Sequence, residues 1–435
     1  MAGIGDSYWL APFERDLVIQ NLLRFGLIEY DNDRGLPLKS GRTTDIYINL
    51  REARGNPEAL SFLSKTYANP IQRIGPKIFA EVPDSVSCLA GVLSVMMKMP
   101  YITIREQAKE GRVAKASVLG ATNFGDKVCI LDDVITNGAS KIVPYWECKR
   151  MGLDVLPLIV LVDRNQGWQE VFKSQNIEMP VWAGMSLHDV RRYLIENGIM
   201  RRCNEYTEEK NPIILALDGK NWEEILPVID ELRTTGCILK VNDLLGYEGS
   251  KNLIPDLQVY GRVMADIKGH DILNTLKNHS DRLLENPPWA VTVHGSGGEE
   301  MIAKVVEVFK KTPTKVLVVT VLTSIDENTC EEIYNRKPLD QVKVLAAIAK
   351  RAGAHGLVCS PQEVKELKEL YPDKIFVCPG VRSAGVDANE QERIGTPKAA
   401  MDDGADYLVM GRQVLAKPNP IMEVMRLLTE ELGIM

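Results

Sequence analysis

The sequence predicts an α/β protein of two domains: a parallel-sheet domain, then a closed (β/α)8 barrel. Three observations carry that reading. Apolar, β-branched runs alternate with amphipathic segments almost throughout, the signature of βαβ units. From residue 213 the alternation becomes regular and repeats eight times in about 225 residues, the count and size of a (β/α)8 barrel. No G-x-G-x-x-G opens a helix there, and an open dinucleotide-binding sheet would need only about six strands.

In residues 1–200 the apolar runs place strands at 44–50, 77–82, 101–105, 127–132 and 156–163. Helical patterns fall at 12–25, 57–73, 86–97 and 139–151. SLHDVRRYLIENGI at 186–199 reads as a closing amphipathic helix, with Ser186 as N-cap and Gly198 as the stop. The polar stretch 201–212, RRCNEYTEEKNP, reads as a linker. Residues 213–435 form the second domain, with strands at 213–217, 237–241, 261–267, 289–294, 315–322, 355–358, 375–378 and 406–410. In such a barrel the polar residues at the C-terminal ends of the strands line the active site. Here those ends carry Asp218, Lys240, Asp266, Lys268, His294, Thr323, Ser324 and Arg412.

Composition narrows the function classes. The 435 residues are 45% hydrophobic and 26% charged, an ordinary globular balance. With 52 Lys+Arg against 59 Asp+Glu the net charge is -7, and no basic stripe or aromatic platform suggests nucleic-acid binding. Cysteines 88, 129, 148, 203, 237, 330, 359 and 378 form no C-x-x-C pair and several lie in apolar runs, which reads as reduced thiols in a cytoplasmic protein. The five histidines form no cluster with metal-ligand spacing. The N-terminus lacks a basic region followed by an apolar stretch, so no signal peptide is expected, and no apolar run is long enough to span a membrane.

Residues 128–140, VCILDDVITNGAS, form the first chemical constellation. An apolar strand ends in two acids, and a Thr-x-Gly-x-Ser loop leads into a helix. Backbone N–H groups of the turn, the Thr136 and Ser140 hydroxyls and a helix N-terminus converge on a phosphate, with Gly138 giving the turn. Asp132 and Asp133 suit ribose hydroxyls or a ligand-borne Mg²⁺. The plain alternative is a βα turn capped by Ser140 with two solvated acids. The pattern resembles the diphosphate-ribose loop of the type I phosphoribosyltransferases. Lys39 with SGRTTDIYINLR at 40–51, and LVDRNQGW at 161–168, narrow the resemblance to orotate phosphoribosyltransferase. It implies that Arg164 contacts orotate, and that Arg105 and Lys109 belong to a mobile loop serving the neighbouring subunit's site. The sequence departs from that family at Glu106, where a lysine is usual, and at Gly111, where a His or Tyr is. Arg112 and Lys115 are the nearby cations that could substitute.

The second constellation is a set of alternating charges. Asp266 and Lys268 lie two apart on a strand and so share a face, and Lys240 ends the neighbouring strand. A sign-alternating chain lets each charge be paired and buried while ionised. A structural salt-bridge ladder is the alternative, at odds with the usual apolar filling of barrels. Asp266, Lys268 and Asp271 form a D-x-K-x-x-D motif that resembles orotidine 5′-phosphate decarboxylase, although hexulose-phosphate synthases share it. LALDGK at 215–220, TVHGSGG at 292–298, TVLTS at 320–324, VCSPQE at 358–363, the segment 379–397 and MGR at 410–412 follow in the family's order. The resemblance implies that Lys240, Asp266, Lys268 and Asp271 are catalytic. It implies further that Asp218 binds ribose and that Thr323 and Ser324 read the pyrimidine edge. Arg382, Gln391, Gly411 and Arg412 would grip the 5′-phosphate. Asp271 and Thr275 would enter from a partner subunit, making a homodimer or larger homo-oligomer necessary. His294 reads as a packed structural residue.

The order of the two halves resembles the uridine monophosphate synthase family. It implies that orotate and phosphoribosyl diphosphate with Mg²⁺ give orotidine 5′-phosphate, which is decarboxylated without a cofactor to uridine 5′-phosphate. Two alternatives stay open: a decarboxylase with a silent transferase-like domain, and another phosphosugar barrel enzyme.

Overall fold

In a strand, successive side chains point to opposite faces, and both faces of the N-terminal sheet are apolar. Cys129, Leu131, Ile159 and Leu161 join one core cluster, while Val128, Ile130, Leu158 and Val160 join the other. Such a sheet must be covered by helices on both sides, which is what parallel βα connections supply. The computed structural model describes residues 8–31, 36–37, 43–82, 85–104, 118–201, 211–385 and 395–434. The chain divides into two units, Met1–Arg201 and Arg202–Met435.

The sheet of the first unit runs Val181–Ser186, Asp154–Asp163, Lys127–Leu131, Ile78–Glu81, Tyr101–Ile104, Val118–Leu119, with Val134–Ile135 added beside Asp154–Asp163. All pairs are parallel except the last, where Tyr101–Ile104 meets Val118–Leu119 antiparallel. Helices Pro12–Arg24, Pro57–Ile74, Ser87–Met97 and Leu187–Glu196 pack on one face, and Ile142–Arg150 and Trp168–Ser174 on the other.

The structure departs from the sequence reading in several places. The strand expected over 44–50 is split into Thr43–Thr44 and Ile46–Ile48. Asp45 at the break turns its carboxylate to the buried Arg191, whose Nη2 donates at 3.0 Å. The helix expected over 139–151 opens as a 3-10 turn, Ala139–Lys141, before Ile142–Arg150. The strands Ile28–Tyr30, Val118–Leu119, Val134–Ile135 and Val181–Ser186 and the helix Trp168–Ser174 are additions that the sequence reading does not place. The Leu187–Glu196 helix begins as expected, with the Ser186 hydroxyl accepting from the Asp189 N–H at 3.1 Å and Asp189 reaching back to the Ser186 N–H at 2.8 Å. Most of the proposed linker, residues 202–210, lies outside the described residues.

The second unit is a closed barrel of eight parallel strands in chain order: Ile213–Ala216, Ile238–Val241, Val263–Gly269, Ala290–His294, Lys315–Val319, Gly356–Val358, Ile375–Cys378 and Tyr407–Met410. The last pairs with the first, Leu408 opposite Ile213, which leaves no open edge. Ile214, Ile238, Met264, Ala290, Leu317, Val377 and Val409 form one cluster that fills the barrel. No helix among the described residues is long and apolar enough to cross a membrane.

Candidate active site

The period-two rule turns this apolar layer into a site. Two residues beyond Ile214, Ile238, Met264 and Ala290 stand Ala216, Lys240, Asp266 and Thr292, on the same inward face one layer nearer the C-terminal end. Above the apolar layer, then, three of four neighbouring strands place a polar group. A cavity of about 800 Å³ opens there, lined by Asp218, Lys240, Asp266 and Lys268 on one side and by Thr323, Ser324, Arg382, Gly411 and Arg412 elsewhere.

The charges form a continuous row. Lys240 Nζ lies 2.6 Å from Asp218 Oδ2 and 3.0 Å from Asp266 Oδ2, and Lys268 Nζ lies 2.7 Å from the same Asp266 oxygen. Burial alone would raise the Asp266 pKa, but the two ammonium groups outweigh it and hold the carboxyl below its usual range. Burial would likewise lower Lys240, yet Asp266 and Asp218 raise it above the ordinary lysine value. Asp266 and Lys240 therefore keep their charges because of their neighbours in the row. Removing Asp266 would take away the carboxylate that lies between the two ammonium groups, the buried Lys240 among them, which is why the row depends most on that residue.

Asp266 and Lys268 meet, but not through plain strand alternation. Met264 and Ala265 pair with Ala290 and Val291, whereas Gly269 pairs with Val293, so Asp266, Ile267 and Lys268 stand opposite Thr292 alone. Lys268 has φ +44°, in the left-handed region. The bulge brings the lysine back over its own aspartate.

Arg382 is buried and its Nη1 donates to the Val381 carbonyl at 2.7 Å, while Arg412 is exposed at the rim. Behind them Gln413 accepts from the Ser383 N–H at 3.0 Å and donates to Glu423 at 3.2 Å, tying the two arginine-bearing loops together. Asp271 is exposed and accepts from the Ile272 N–H at 2.6 Å; neither it nor the half-buried Thr275 lines the cavity. Beside them Ile272 is 73% exposed. His294 also lies outside the lining, with its Nδ1 3.3 Å from the Ser296 hydroxyl and its ring 5.6 Å from His270. Its pKa is lowered, first by burial, then by His270 and Lys268. Gln391 lies outside the described residues. The sequence reading did not single out Thr292, Asn242 or Gln413. Asn242 Nδ2 donates to the Asp266 carbonyl at 2.6 Å. The one available signal for Thr292 was a hydroxyl at an inward position of an otherwise apolar strand.

The N-terminal loop has its own chemistry. Asp132 turns inward: it is buried, ion-paired with the buried Lys141 and accepts from Ser85, while Tyr67 donates to its carbonyl at 2.7 Å. Asp133 is pushed up to about 7 by burial and by the adjacent Asp132. Thr136 and Ser140 are exposed on the turn. Gly138 sits at φ +76°, and a Cβ there would come within 2.7 Å of the Phe172 ring. Arg164 Nη2 donates to Thr44 Oγ1 at 2.8 Å. Lys39, Arg105 and Lys109 lie outside the described residues, as do Glu106, Gly111, Arg112 and Lys115.

Fold and mouth define the second unit as a (β/α)8-barrel domain of the enzyme type, with paired lysines and aspartates lining its cavity. Residues 211–427 match the profile of the orotidine 5′-phosphate decarboxylase / HUMPS family. The orotidine 5′-phosphate decarboxylase of Pseudoalteromonas translucida is 38% identical over 220 residues, which is 49% of this chain and 94% of that protein. That of Pseudomonas aeruginosa is 37% identical over 226 residues, 51% of this chain and 97% of its own length. A crystal structure of the decarboxylase from Lactobacillus acidophilus aligns at TM-score 0.45 and 31% identity, over 51% of this chain and 98% of that one. The structure of Leishmania donovani UMP synthase aligns at TM-score 0.37 and 25% identity, over 42% of this chain and 39% of that one. The chain belongs to the orotidine 5′-phosphate decarboxylase / HUMPS family, through its C-terminal half.

Proposed function

We propose that the barrel decarboxylates orotidine 5′-phosphate to uridine 5′-phosphate without a cofactor. The observation that carries this is the row Asp218–Lys240–Asp266–Lys268 at the mouth. When the bond from pyrimidine C6 to its carboxylate breaks, CO₂ leaves and the electron pair stays on C6. The Lys268 ammonium, beside that carbon, stabilises the charge and then donates its proton to C6. Asp266 holds Lys268 in place and faces the substrate carboxylate; Lys240 and Asp218 hold ribose hydroxyls. Thr323 and Ser324 read the pyrimidine edge. Arg382, Gln391, the Gly411 N–H and Arg412 take the 5′-phosphate, whose binding energy organises the row. Asp271, exposed beside Ile272, and Thr275 serve the mouth of a partner subunit in a homodimer. Enzymes reach accelerations of about 10¹⁷-fold, or about 23 kcal/mol, so preorganisation of the whole row must contribute beyond any one lysine.

The N-terminal unit, on the same reading, is an orotate phosphoribosyltransferase that supplies this substrate from orotate and phosphoribosyl diphosphate. Mg²⁺ enters with the diphosphate as part of that substrate. Thr136, Gly138 and Ser140 offer the phosphate turn, Asp133 faces ribose, Arg164 takes orotate, and Lys39, Arg105 and Lys109 add charge. The inward-turned Asp132 and its ion pair with Lys141 favour a second reading, in which this unit is not catalytic. Full-length protein should release CO₂ from orotidine 5′-phosphate. Supplied with orotate, phosphoribosyl diphosphate and Mg²⁺, it should form uridine 5′-phosphate. Decarboxylation without orotate consumption selects the second reading, and no decarboxylation excludes both.

A further inference from the structure

Thr292 is fully buried and lies outside the cavity lining, so it cannot touch a substrate there. It stands alone opposite the bulge formed by Asp266, Ile267 and Lys268. Its hydroxyl accepts from the Lys268 N–H at 2.9 Å and lies 2.9 Å from Asp266 Oδ1. The direction of both bonds is forced. A backbone N–H can only donate and an ionised carboxylate can only accept, so the hydroxyl's one proton goes to Asp266. Both ammonium groups meet the other Asp266 oxygen, Oδ2, at 3.0 and 2.7 Å. One side chain thus fixes which carboxylate oxygen faces the lysines and holds the left-handed backbone that aims Lys268.

Resting on the decarboxylase reading, we infer that Thr292 is a positioning residue for the reaction, setting Lys268 and Asp266 against each other through a single hydroxyl. Threonine chosen only to fill a strand would be replaced by valine at little cost. A positioning hydroxyl would be missed in turnover and hardly in binding.

The test uses the full chain with Thr292→Val, Thr292→Ser and Thr292→Ala. Ser and Ala lose the same methyl and differ only in the hydroxyl, so their comparison stands even if the valine variant fails to fold. Val and Ala should lower kcat about 10- to 100-fold with KM changed less than about threefold, while Ser keeps kcat within about threefold of the unaltered chain. Uridine 5′-phosphate, which has no carboxylate at C6, should bind all variants with similar affinity. A kcat for the Ala variant equal to that of the Ser variant overturns the inference, as does a loss of nucleotide binding that parallels the loss of kcat. Absence of turnover by the unaltered chain overturns instead the decarboxylase reading on which it stands.

Discussion

In the proposed function Lys268 and Arg412 do different work, and single substitutions separate them. Arg412 is exposed at the rim, far along the ligand from the reacting carbon in the proposed pose. Binding energy from a remote phosphate supports both association and organisation of the row. Arg412→Ala should therefore raise KM by about tenfold or more and lower kcat as well. Steady-state kinetics with orotidine 5′-phosphate check this, and an unchanged KM would rule out the phosphate grip. Asp133 makes a prediction about pH. An unfolded aspartate titrates near about 4, but in the folded unit burial and Asp132 push Asp133 up to about 7. Between those values the folded state holds more protons. Its stabilising contribution is complete below about pH 4 and is lost as the pH rises through about 7. Thermal unfolding of the first unit should shift to lower temperature from about pH 5 to about pH 8, and Asp133→Asn should flatten the trend. A midpoint that climbs over that range in the unaltered chain, and not in the variant, would reverse the assigned sign.

Elements show where sequence patterning suffices and where it does not. The eight barrel strands were legible because each is a short apolar run between amphipathic segments, and burial inside a barrel enforces that composition. Lys240, Asp266 and Lys268 were legible because charges interrupt those runs. Val181–Ser186 was missed: its sequence, VWAGMS, contains a glycine and little alternation, and its strand state comes from pairing with Asp154–Asp163. The break at Asp45 and the bulge at Lys268 were also hidden. Each is decided by a distant partner, Arg191 in one case and Thr292 in the other. Gly138 was read as a turn glycine, and the structure adds a second constraint, the nearby Phe172 ring. Gly138→Ala meets both the positive φ and that contact. It should destabilise the first unit by about 1–3 kcal/mol, measured by denaturant unfolding. An effect below about 0.5 kcal/mol would show that the turn relaxes freely.

At the scale of the whole chain, one polypeptide carries two compact units. The C-terminal half has relatives that it covers almost end to end, while the family match begins only at residue 211. If the first unit makes what the second consumes, damage to each must appear at a different point of the sequence of reactions. Asp133→Asn should stop product formation from orotate while leaving decarboxylation of supplied orotidine 5′-phosphate intact. Lys268→Ala should do the converse and let orotidine 5′-phosphate accumulate. Product analysis by chromatography distinguishes the two, and identical behaviour of both variants would break the proposed division of labour.

The most direct measurement is release of CO₂ from carboxyl-labelled orotidine 5′-phosphate by the full chain and by Lys268→Ala, with uridine 5′-phosphate binding measured on both. The account predicts rapid release by the unaltered chain and none above the spontaneous rate by the variant, with the nucleotide bound comparably by each. Label released at similar rates by both proteins would contradict it.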